Sequence, residues 1–376
     1  MKLNKKNILI ISSLLSNVNF FLYDLIKSLS LNYHFIIISK IDIPKFDIDN
    51  ITYYDFNFKR KISFFSDFKN LFKLFYLLLN IKPNLVVSIT PKISFLISLV
   101  NFFLKFNRIH FFTGQVWINM HGLYKFFFKT IDKFVINTSI FCFVDSKSQV
   151  EFLIKEGFNK DKLILINNGS VCGVDSNLFK ANELLKSNFK TSHKIDDSTL
   201  ILMFMGRINK DKGFFELINL YKKLKYNNIN FKLVLVGNDE EHLLKKLLNT
   251  NSDLFNEILF LGYANYPEQI LPCADIFILL SKREGFGLTA IQASSCSIPV
   301  IGTNIVGLQD SIKNDYTGIL IDNIDNINDF NRVLLIFKNK KLREDYGNNG
   351  RIYVQKFYEK NNVITFLKNK ILSILE

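Results

Sequence analysis

The chain contains twelve short runs of mostly Ile, Val, Leu and Phe residues, separated by longer segments of helical character. The runs cover residues 8–12, 35–39, 85–89, 109–113, 141–145, 163–166, 201–205, 232–236, 258–261, 276–280, 299–302 and 318–321. Continuous apolar runs, without polar residues in alternation, predict strands that are covered on both faces. Strands that alternate with helices predict an α/β fold with parallel, doubly wound sheets.

One of the intervening segments shows helical spacing clearly. Its apolar residues are Phe214, Leu217, Ile218, Tyr221 and Leu224. Residues at these intervals fall on one face of an amphipathic helix, and the lysines between them can remain in water.

The length of 376 residues indicates two domains, because single cores stop growing beyond about 250–300 residues. Hydrophobic residues make up 48% of the chain, which is enough for two cores. The stretch from 182 to 198 is polar and offers few residues to a core, so it predicts the break. We expect a first domain at residues 1–182, a linker at 183–198, a second domain at 199–345 and a helical tail at 346–376.

The formal net charge is +14, which attracts polyanions such as nucleic acid, acidic lipid or phosphorylated substrates. The sequence has no zinc-finger or RNA-binding signature, so the charge favours an anionic membrane surface over nucleic acid. Residues 58–65 and 125–129 combine basic and aromatic side chains and are candidates for docking. The other interpretation of each stretch is ordinary amphipathic surface.

The cysteines fit a reducing, cytoplasmic compartment. Cys142, Cys172, Cys273 and Cys296 form no Cys-x-x-Cys pair and have the spacing of core residues. The longest apolar run, residues 93–104, is interrupted by polar residues and is too short to span a bilayer. We therefore expect it to form a buried helix.

Two cations follow the predicted strand at residues 201–205. Gly206 permits a tight turn, and Arg207 then leaves the carboxyl end of the strand, where parallel sheets bind ligands. Lys212 follows five residues later, and Gly213 opens the next helix. Arg207 can bind phosphate oxygens with two donors, and Lys212 supplies a movable point charge. The alternative is two surface cations beside a turn, because short Gly/Lys matches are common.

A carboxylate and two glycines separate the tenth predicted strand from the helix after it. Gly285 and Gly287 let backbone N–H groups approach an anion, and the helix that begins near Leu288 adds the positive end of its dipole. Glu284 can accept hydrogen bonds from sugar hydroxyls, and Gln292 lies about two helical turns later, facing the same side. The alternative is a plain strand–turn–helix junction with Glu284 as a cap.

A polar segment also follows the predicted strand at residues 109–113. Its candidate residues for binding an acceptor are Thr113, Gly114, Gln115 and Trp117. Trp117 is the only tryptophan of the chain, and its ring either belongs to the core or stacks on a sugar.

These motifs together resemble a known family. The C-terminal half resembles glycosyltransferase family 4, the retaining enzymes of the GT-B fold, in residues 204–214, 233–240, 260–280 and 283–310. Four motifs in the right order are more specific than any one of them. The N-terminal half is similar to the subset that builds bacterial surface polysaccharides, in residues 90–92, 112–117, 145–146 and 168–170. The resemblance covers nearly the whole chain.

The resemblance implies a GT-B architecture, with two Rossmann-like, doubly wound domains that face a cleft. The C-terminal domain is then expected to hold a nucleoside-diphosphate sugar, and the N-terminal domain to hold the acceptor. The final helix is expected to cross back and pack on the N-terminal domain.

The resemblance also implies roles for the candidate residues. Arg207 and Lys212 are expected to bind the diphosphate and to stabilise its charge as it leaves, while Glu284 contacts the donor sugar. The donor-binding set is Gly206, Gly285, Phe286, Gly287, Leu288, Thr289 and Gln292. No metal is expected, because the two cations do the work of an ion.

One position departs from the family pattern. The second Glu of the family's Glu-x7-Glu motif, which meets the ribose diol, is Gln292 here. An amide carbonyl can still accept a hydrogen bond, but the charge-assisted bond is lost.

The function implied is that of a retaining hexosyltransferase in O-antigen, capsule or related glycan biosynthesis. It would move a hexose or N-acetylhexosamine to a polyprenyl-diphosphate-linked glycan at the cytoplasmic face of the inner membrane. The replacement at Gln292 leaves open a non-catalytic nucleotide-sugar-binding or scaffold member of the same fold. A sugar-nucleotide epimerase or a phosphorylase is a further alternative, although no convincing acid–base set for an epimerase is present.

Overall fold

The computed structural model describes residues 5–58, 63–249 and 257–376, which form two compact units. The first unit comprises Met1–Gly173 together with Asn361–Glu376, and the second comprises Val174–Lys360. Each unit is built on a parallel sheet that is covered by helices.

The strands and helices of the first unit alternate along the chain. They are β1 (Asn7–Leu14), α1 (Leu15–Leu29), β2 (His34–Lys40), β3 (Ile51–Asp55), α2 (Phe64–Ile81), β4 (Leu85–Ser88), α3 (Pro91–Leu104), β5 (Arg108–Phe112), α4 (Gly122–Asn137), β6 (Phe141–Val144), α5 (Lys147–Lys155) and β7 (Leu163–Leu165).

The second unit repeats the alternation. Its elements are α6 (Glu183–Ser192), β8 (Leu200–Met205), α7 (Phe214–Tyr226), β9 (Phe231–Val236), α8 (Leu243–Leu248), β10 (Leu259–Gly262), α9 (Pro267–Ile270), β11 (Ile276–Leu279), α10 (Leu288–Ser295), β12 (Val300–Thr303), α11 (Leu308–Ser311), β13 (Gly318–Ile321), α12 (Ile327–Lys338) and α13 (Lys340–Phe357). The last helix, α14 (Lys360–Leu375), returns to the first unit.

Within the described residues of the first unit, seven strands pair in the order β3-β2-β1-β4-β5-β6-β7. Alternate residues of β1 point to opposite faces of this sheet. Ile8 and Ile10 pack in a core with α1 and α14, whereas Leu9 and Ile11 pack in a core with α2 and α3. Burial on both faces explains why the strands are apolar without alternation.

The described strands of the second unit pair in the order β10-β9-β8-β11-β12-β13. The chain moves from β8 towards one edge of the sheet and from β11 towards the other, so the connections diverge between these two neighbours. Open parallel sheets bind ligands beyond the carboxyl ends of the strands at such a reversal. The loops that follow β8 and β11 carry the cations and the glycines singled out in the sequence.

Within the second unit, the residues next to its two boundaries in the chain pair with one another. The amide of Val174 donates to the carbonyl of Tyr358, and the amide of Lys360 donates to the carbonyl of Val174. Residues 183–192, inside the expected linker, form helix α6 of the second unit, and Leu185 and Phe189 pack on the core of that unit. The helix α13 also belongs to the second unit.

All twelve predicted strands are present, with ends that shift by a residue or two. The additional strand β3 lies at the edge of the first sheet and is only partly buried. The apolar run at 93–104 forms helix α3, which is largely buried up to Asn101, as predicted, whereas Phe102 and Phe103 at its end are exposed. Among the described residues, no helix combines the length and apolar character needed to cross a membrane. The docking candidates Lys59, Arg60 and Lys61 lie outside the described residues.

Candidate functional site

The loop after β8 is shaped by hydrogen bonding and by one glycine. The side chain of Asn209 accepts a hydrogen bond from the amide of Lys212 at 3.0 Å and caps a 3₁₀ turn at Lys210–Lys212. Gly213 follows with a φ of +76°, and a Cβ atom there would lie 1.8 Å from the carbonyl oxygen of Leu280. Only glycine lets the start of α7 approach the end of β11 this closely.

The loop after β11 presents a carboxylate and then turns into α10. The Oε1 atom of Glu284 accepts a hydrogen bond from the hydroxyl of Ser281 at 2.8 Å. Gly287 is the N-cap of α10 with a φ of +87°, and a Cβ atom there would lie 2.5 Å from a methyl group of Leu308. The side chain of Phe286 is buried and packs edge-on against Tyr358, so only its backbone is available to a ligand.

The two loops are joined directly to one another. The Nζ atom of Lys212 lies 2.5 Å from the Oε1 atom of Glu284, and both side chains are largely buried. Beside this pair, the guanidinium of Arg283 binds Asp211 at 2.7 Å, and the amide of Lys282 donates to the carbonyl of Asp211 at 2.8 Å. Three contacts therefore fix the position of Lys212 relative to the amides that precede α10.

Arg207 leaves the same loop as Lys212 but contacts the other neighbour of β8. Its Nη1 atom lies 3.3 Å from the Oε2 atom of Glu240, which follows β9. The Arg207 side chain is 47% exposed, so its guanidinium keeps access to solvent and to a ligand. The structure thus brings Lys212 and Glu284 into contact and places Arg207 on the other side of the β8 terminus.

The start of α10 supplies donors for an anion. The first amides of a helix have no carbonyl partner within the helix, and the helix dipole adds a partial positive charge at the same place. In this chain the first amides belong to Leu288, Thr289 and Ala290. The amide of Ala290 donates to the carbonyl of Gly287, so the amides expected to meet an anion are those of Leu288 and Thr289. Gln292 lies on the same helix and is buried, where the family pattern has a glutamate.

The first unit does not present Trp117 to a ligand. The Trp117 ring is fully buried, stacks 5.9 Å from the ring of Phe158, and donates its Nε1 hydrogen to Asp132 at 2.7 Å. The hypothesis that this ring stacks on a sugar is therefore wrong, and the ring is part of a core. Gln115 is buried as well, whereas Thr113 and Gly114 are partly exposed at the end of β5.

The sequence did not reveal a buried polar cluster beneath this segment. Arg108 is fully buried, donates to the hydroxyls of Ser88 and Thr138, and has its pKa lowered to about 10 by burial. His110 contacts Ser88 and Ser94, and burial together with the charge of Arg108 lowers its pKa to about 3. His110 is therefore neutral at physiological pH and serves as a core residue.

With this geometry established, comparisons with known proteins identify the class. The family profile described as Glycosyl transferases group 1 matches residues 186–353. The capsular polysaccharide biosynthesis glycosyltransferase CapM of Staphylococcus aureus is 29% identical over 312 residues, which cover 79% of this chain and 78% of CapM.

Solved structures share the fold over nearly the whole chain. Sucrose-phosphate synthase from Thermosynechococcus elongatus matches with a TM-score of 0.82 and 18% identity, covering 98% of this chain and 99% of that one. The Anabaena protein HepE in complex with UDP-glucose matches with a TM-score of 0.76 and 15% identity, covering 98% and 99%.

The chain therefore has the α/β GT-B fold with two Rossmann-like units, and it is a glycosyltransferase. Its glycosyl transferases group 1 domain, residues 186–353, lies within the second unit and contains the loops after β8 and β11.

Proposed function

We propose that this glycosyltransferase moves a hexose or N-acetylhexosamine, with retention of configuration, from a nucleoside-diphosphate sugar to a lipid-linked glycan. The product belongs to a surface polysaccharide such as a capsule or an O-antigen. The observation that carries the donor half of this proposal is the contact between Lys212 and Glu284 at the strand reversal between β8 and β11.

The charges at this point suit a leaving diphosphate. A lysine ammonium has three donors, and Glu284 accepts one of those of Lys212, so others can reach phosphate oxygens. Arg207 adds a planar guanidinium, which binds phosphate with two parallel hydrogen bonds. Donors fixed in this way stabilise the charge that develops as the diphosphate departs. Two cations can neutralise it without a metal ion.

The remaining donor contacts follow from the loop after β11. Glu284 is the carboxylate that Lys212 contacts, and it would accept hydrogen bonds from hydroxyls of the donor sugar. The backbone of residues 285–289 would hold phosphate and sugar, and Gln292 would accept one hydrogen bond from the ribose. The acceptor hydroxyl would then attack the sugar face from which the diphosphate departs. HepE, which shares this fold, has been solved with UDP-glucose, and that supports a nucleotide-sugar donor.

The acceptor half rests on different observations. The similarity to CapM supports a role in capsular polysaccharide biosynthesis. A lipid-linked glycan is presented at a membrane, and a net charge of +14 suits an anionic membrane surface. Partly exposed Thr113 and Gly114 at the carboxyl edge of the first sheet are proposed to contact the acceptor. We accordingly place the enzyme at the cytoplasmic face of the inner membrane.

The test begins with thermal stabilisation of the purified chain by a panel of UDP-, GDP- and dTDP-sugars, because a ligand that binds only the folded state raises the melting temperature. The stabilising donor is then incubated with polyprenyl-diphosphate-linked glycans, and NMR determines the anomeric configuration of the product. Arg207→Ala should remove turnover. Arg332→Ala, which breaks an ion pair with Asp315 on the same unit, should retain it. An inverted product, or an Arg207→Ala variant with full turnover, would refute the proposed mechanism.

A further inference from the structure

Helix α2 of the first unit exposes a continuous line of large apolar side chains. Five of them, between 41% and 95% exposed, are Phe65, Phe68, Phe72, Tyr76 and Leu79. We call these five residues the aromatic stripe. Their spacing of three and four residues places them on one face of the helix, along about 21 Å of its length.

The opposite face of α2 holds the helix on the sheet. Leu74 and Leu78 are buried in the core that α2 shares with α3, and Asp67 and Asn70 are buried beside them. The aromatic stripe therefore projects away from the core and contributes nothing to it. Isolated exposed apolar residues are ordinary, but an aligned set of this size marks a binding surface.

Neighbouring helices extend the exposed apolar area. Phe102 and Phe103 at the end of α3 are both exposed, and α3 packs against α2. The helix α4 packs on the other side of α3, and its first two turns expose Leu123, Tyr124, Phe126 and Phe127.

The charges on these helices have one sign at the surface. The described residues of α2, α3 and α4 include six lysines and two buried acidic residues, Asp67 and Asp132. Three of these lysines form ion pairs, one with Asp67 and two with Glu156. Lys69 and Lys73 are exposed and flank the aromatic stripe one turn apart. The exposed face of α2, with its aromatic rings and these two lysines, complements a surface that is apolar inside and anionic outside.

We propose that the aromatic stripe inserts into the interface of an anionic lipid bilayer, with Lys69 and Lys73 on the headgroups. Phenylalanine and tyrosine rings enter the boundary between headgroups and acyl chains, and lysines extend to the phosphates. This docking surface rests on the proposed function, because an enzyme that acts on a lipid-linked acceptor has to reach the membrane that holds it.

A second copy of this chain is a poorer occupant. Two copies paired through the stripe would bring Lys69 and Lys73 of each close to those of the other, and like charges at an interface oppose association. A bilayer with acidic headgroups instead attracts each lysine that lies near its surface.

The test measures co-sedimentation of the full chain with vesicles of phosphatidylcholine alone and of phosphatidylcholine with phosphatidylglycerol. The double variant Phe68→Ser, Phe72→Ser removes two rings of the stripe. A matched control, Tyr226→Ser with Leu335→Ser, removes two side chains of comparable exposure from α7 and α12 of the second unit. Lys69→Gln with Lys73→Gln tests the charges.

The wild type and the control should bind the acidic vesicles. Loss of two inserted rings should weaken binding at least roughly tenfold, because the apolar area that both phenylalanines bury in the bilayer is lost. The lysine variant should lose most of its preference for acidic over neutral vesicles. The proposal is overturned if the wild type does not bind vesicles, or if the stripe variant binds them as well as the wild type does. It is also overturned if the wild type is a dimer that dissociates in the stripe variant.

Stabilisation by the donor nucleotide, measured on every variant without vesicles, separates the two proposals. It should be unchanged in the stripe variant, which shows that the variant is folded. If the nucleotide stabilises none of the proteins while vesicle binding follows the expected pattern, the donor chemistry fails and the docking surface stands.

Discussion

Lys212 and Glu284 are 72 residues apart in the chain, yet the Nζ atom of one lies 2.5 Å from the Oε1 atom of the other. The contact exists because β8 and β11 are neighbours at the centre of the second sheet, so the loops that leave their carboxyl ends meet. It links the cation expected to bind a diphosphate with the carboxylate expected to bind the sugar of the same donor.

Lys212→Ala is predicted to reduce transferase turnover by about two orders of magnitude, the effect of removing one donor that stabilises transition-state charge. It also leaves Glu284 without its cation. Lys223→Ala is the control, because it breaks an ion pair of similar length, with Asp325 at 2.6 Å, elsewhere on the same unit. Steady-state kinetics with the stabilising donor measures the turnover of both variants. Equal losses in the two variants would mean that Lys212 has no special part in turnover.

Gln292→Glu is predicted to strengthen nucleotide binding several-fold, because a carboxylate forms a charge-assisted hydrogen bond where the amide forms a neutral one. Isothermal titration with the nucleoside diphosphate measures the change. Gln309→Glu, on the short helix α11, makes the same substitution on an exposed side chain and should leave affinity unchanged. Weaker binding by Gln292→Glu would show that burial of the new charge outweighs the hydrogen bond.

Trp117→Phe is predicted to lower the melting temperature and to leave the KM for the acceptor unchanged. The substitution removes the hydrogen bond to Asp132 and part of the stack on Phe158, each of which belongs to a core. Calorimetry and acceptor kinetics check the two parts separately. A raised acceptor KM with an unchanged melting temperature would contradict the assignment of this ring to the core.

Asp132 should make stability depend on pH. Burial raises the pKa of its carboxyl group from the ordinary 3.8 to about 7. The folded state therefore holds a proton that the unfolded state releases near pH 4, so the contribution is fully present below pH 4 and is lost as pH rises through 7. The resulting fall in the free energy of unfolding is at most about 4 kcal/mol.

Asp132→Asn keeps an acceptor for Trp117 and removes the titration. Urea unfolding at pH 5 and at pH 8 should show a larger fall in the free energy of unfolding for the wild type than for this variant. Contributions from all other groups are common to both proteins and cancel in the comparison. An identical fall in both would exclude Asp132 as the source.

The sequence predicted the strands well because sheets covered on both faces demand uninterrupted apolar runs. It did not predict β3, because this strand pairs only with β2 and stays half-exposed, so residues such as Thr52 and Asp55 interrupt its apolar character. The sequence did not predict helix α6 for a similar reason, because its polar residues outnumber the few that pack on the core.

The site was accessible to sequence reasoning in part. Motif spacing placed Arg207, Lys212 and Glu284 at the carboxyl ends of strands. Spacing alone does not tell which residue of a neighbouring loop each side chain contacts. The pairing of Arg207 with Glu240 therefore emerged only from the structure. The same holds for Trp117, because a buried ring and a sugar-stacking ring call for the same residue type.

The first unit draws its core from both ends of the chain, since Val363, Leu367, Ile371 and Leu375 of α14 pack with residues of β1 and β2. After the seven strands of this sheet have left the ribosome, the whole of Val174–Lys360 must still be synthesised before α14 emerges. The nascent chain thus carries a sheet face that lacks one of its covering helices while the second unit is made, and a premature stop near residue 360 would harm the unit made first rather than the one made last.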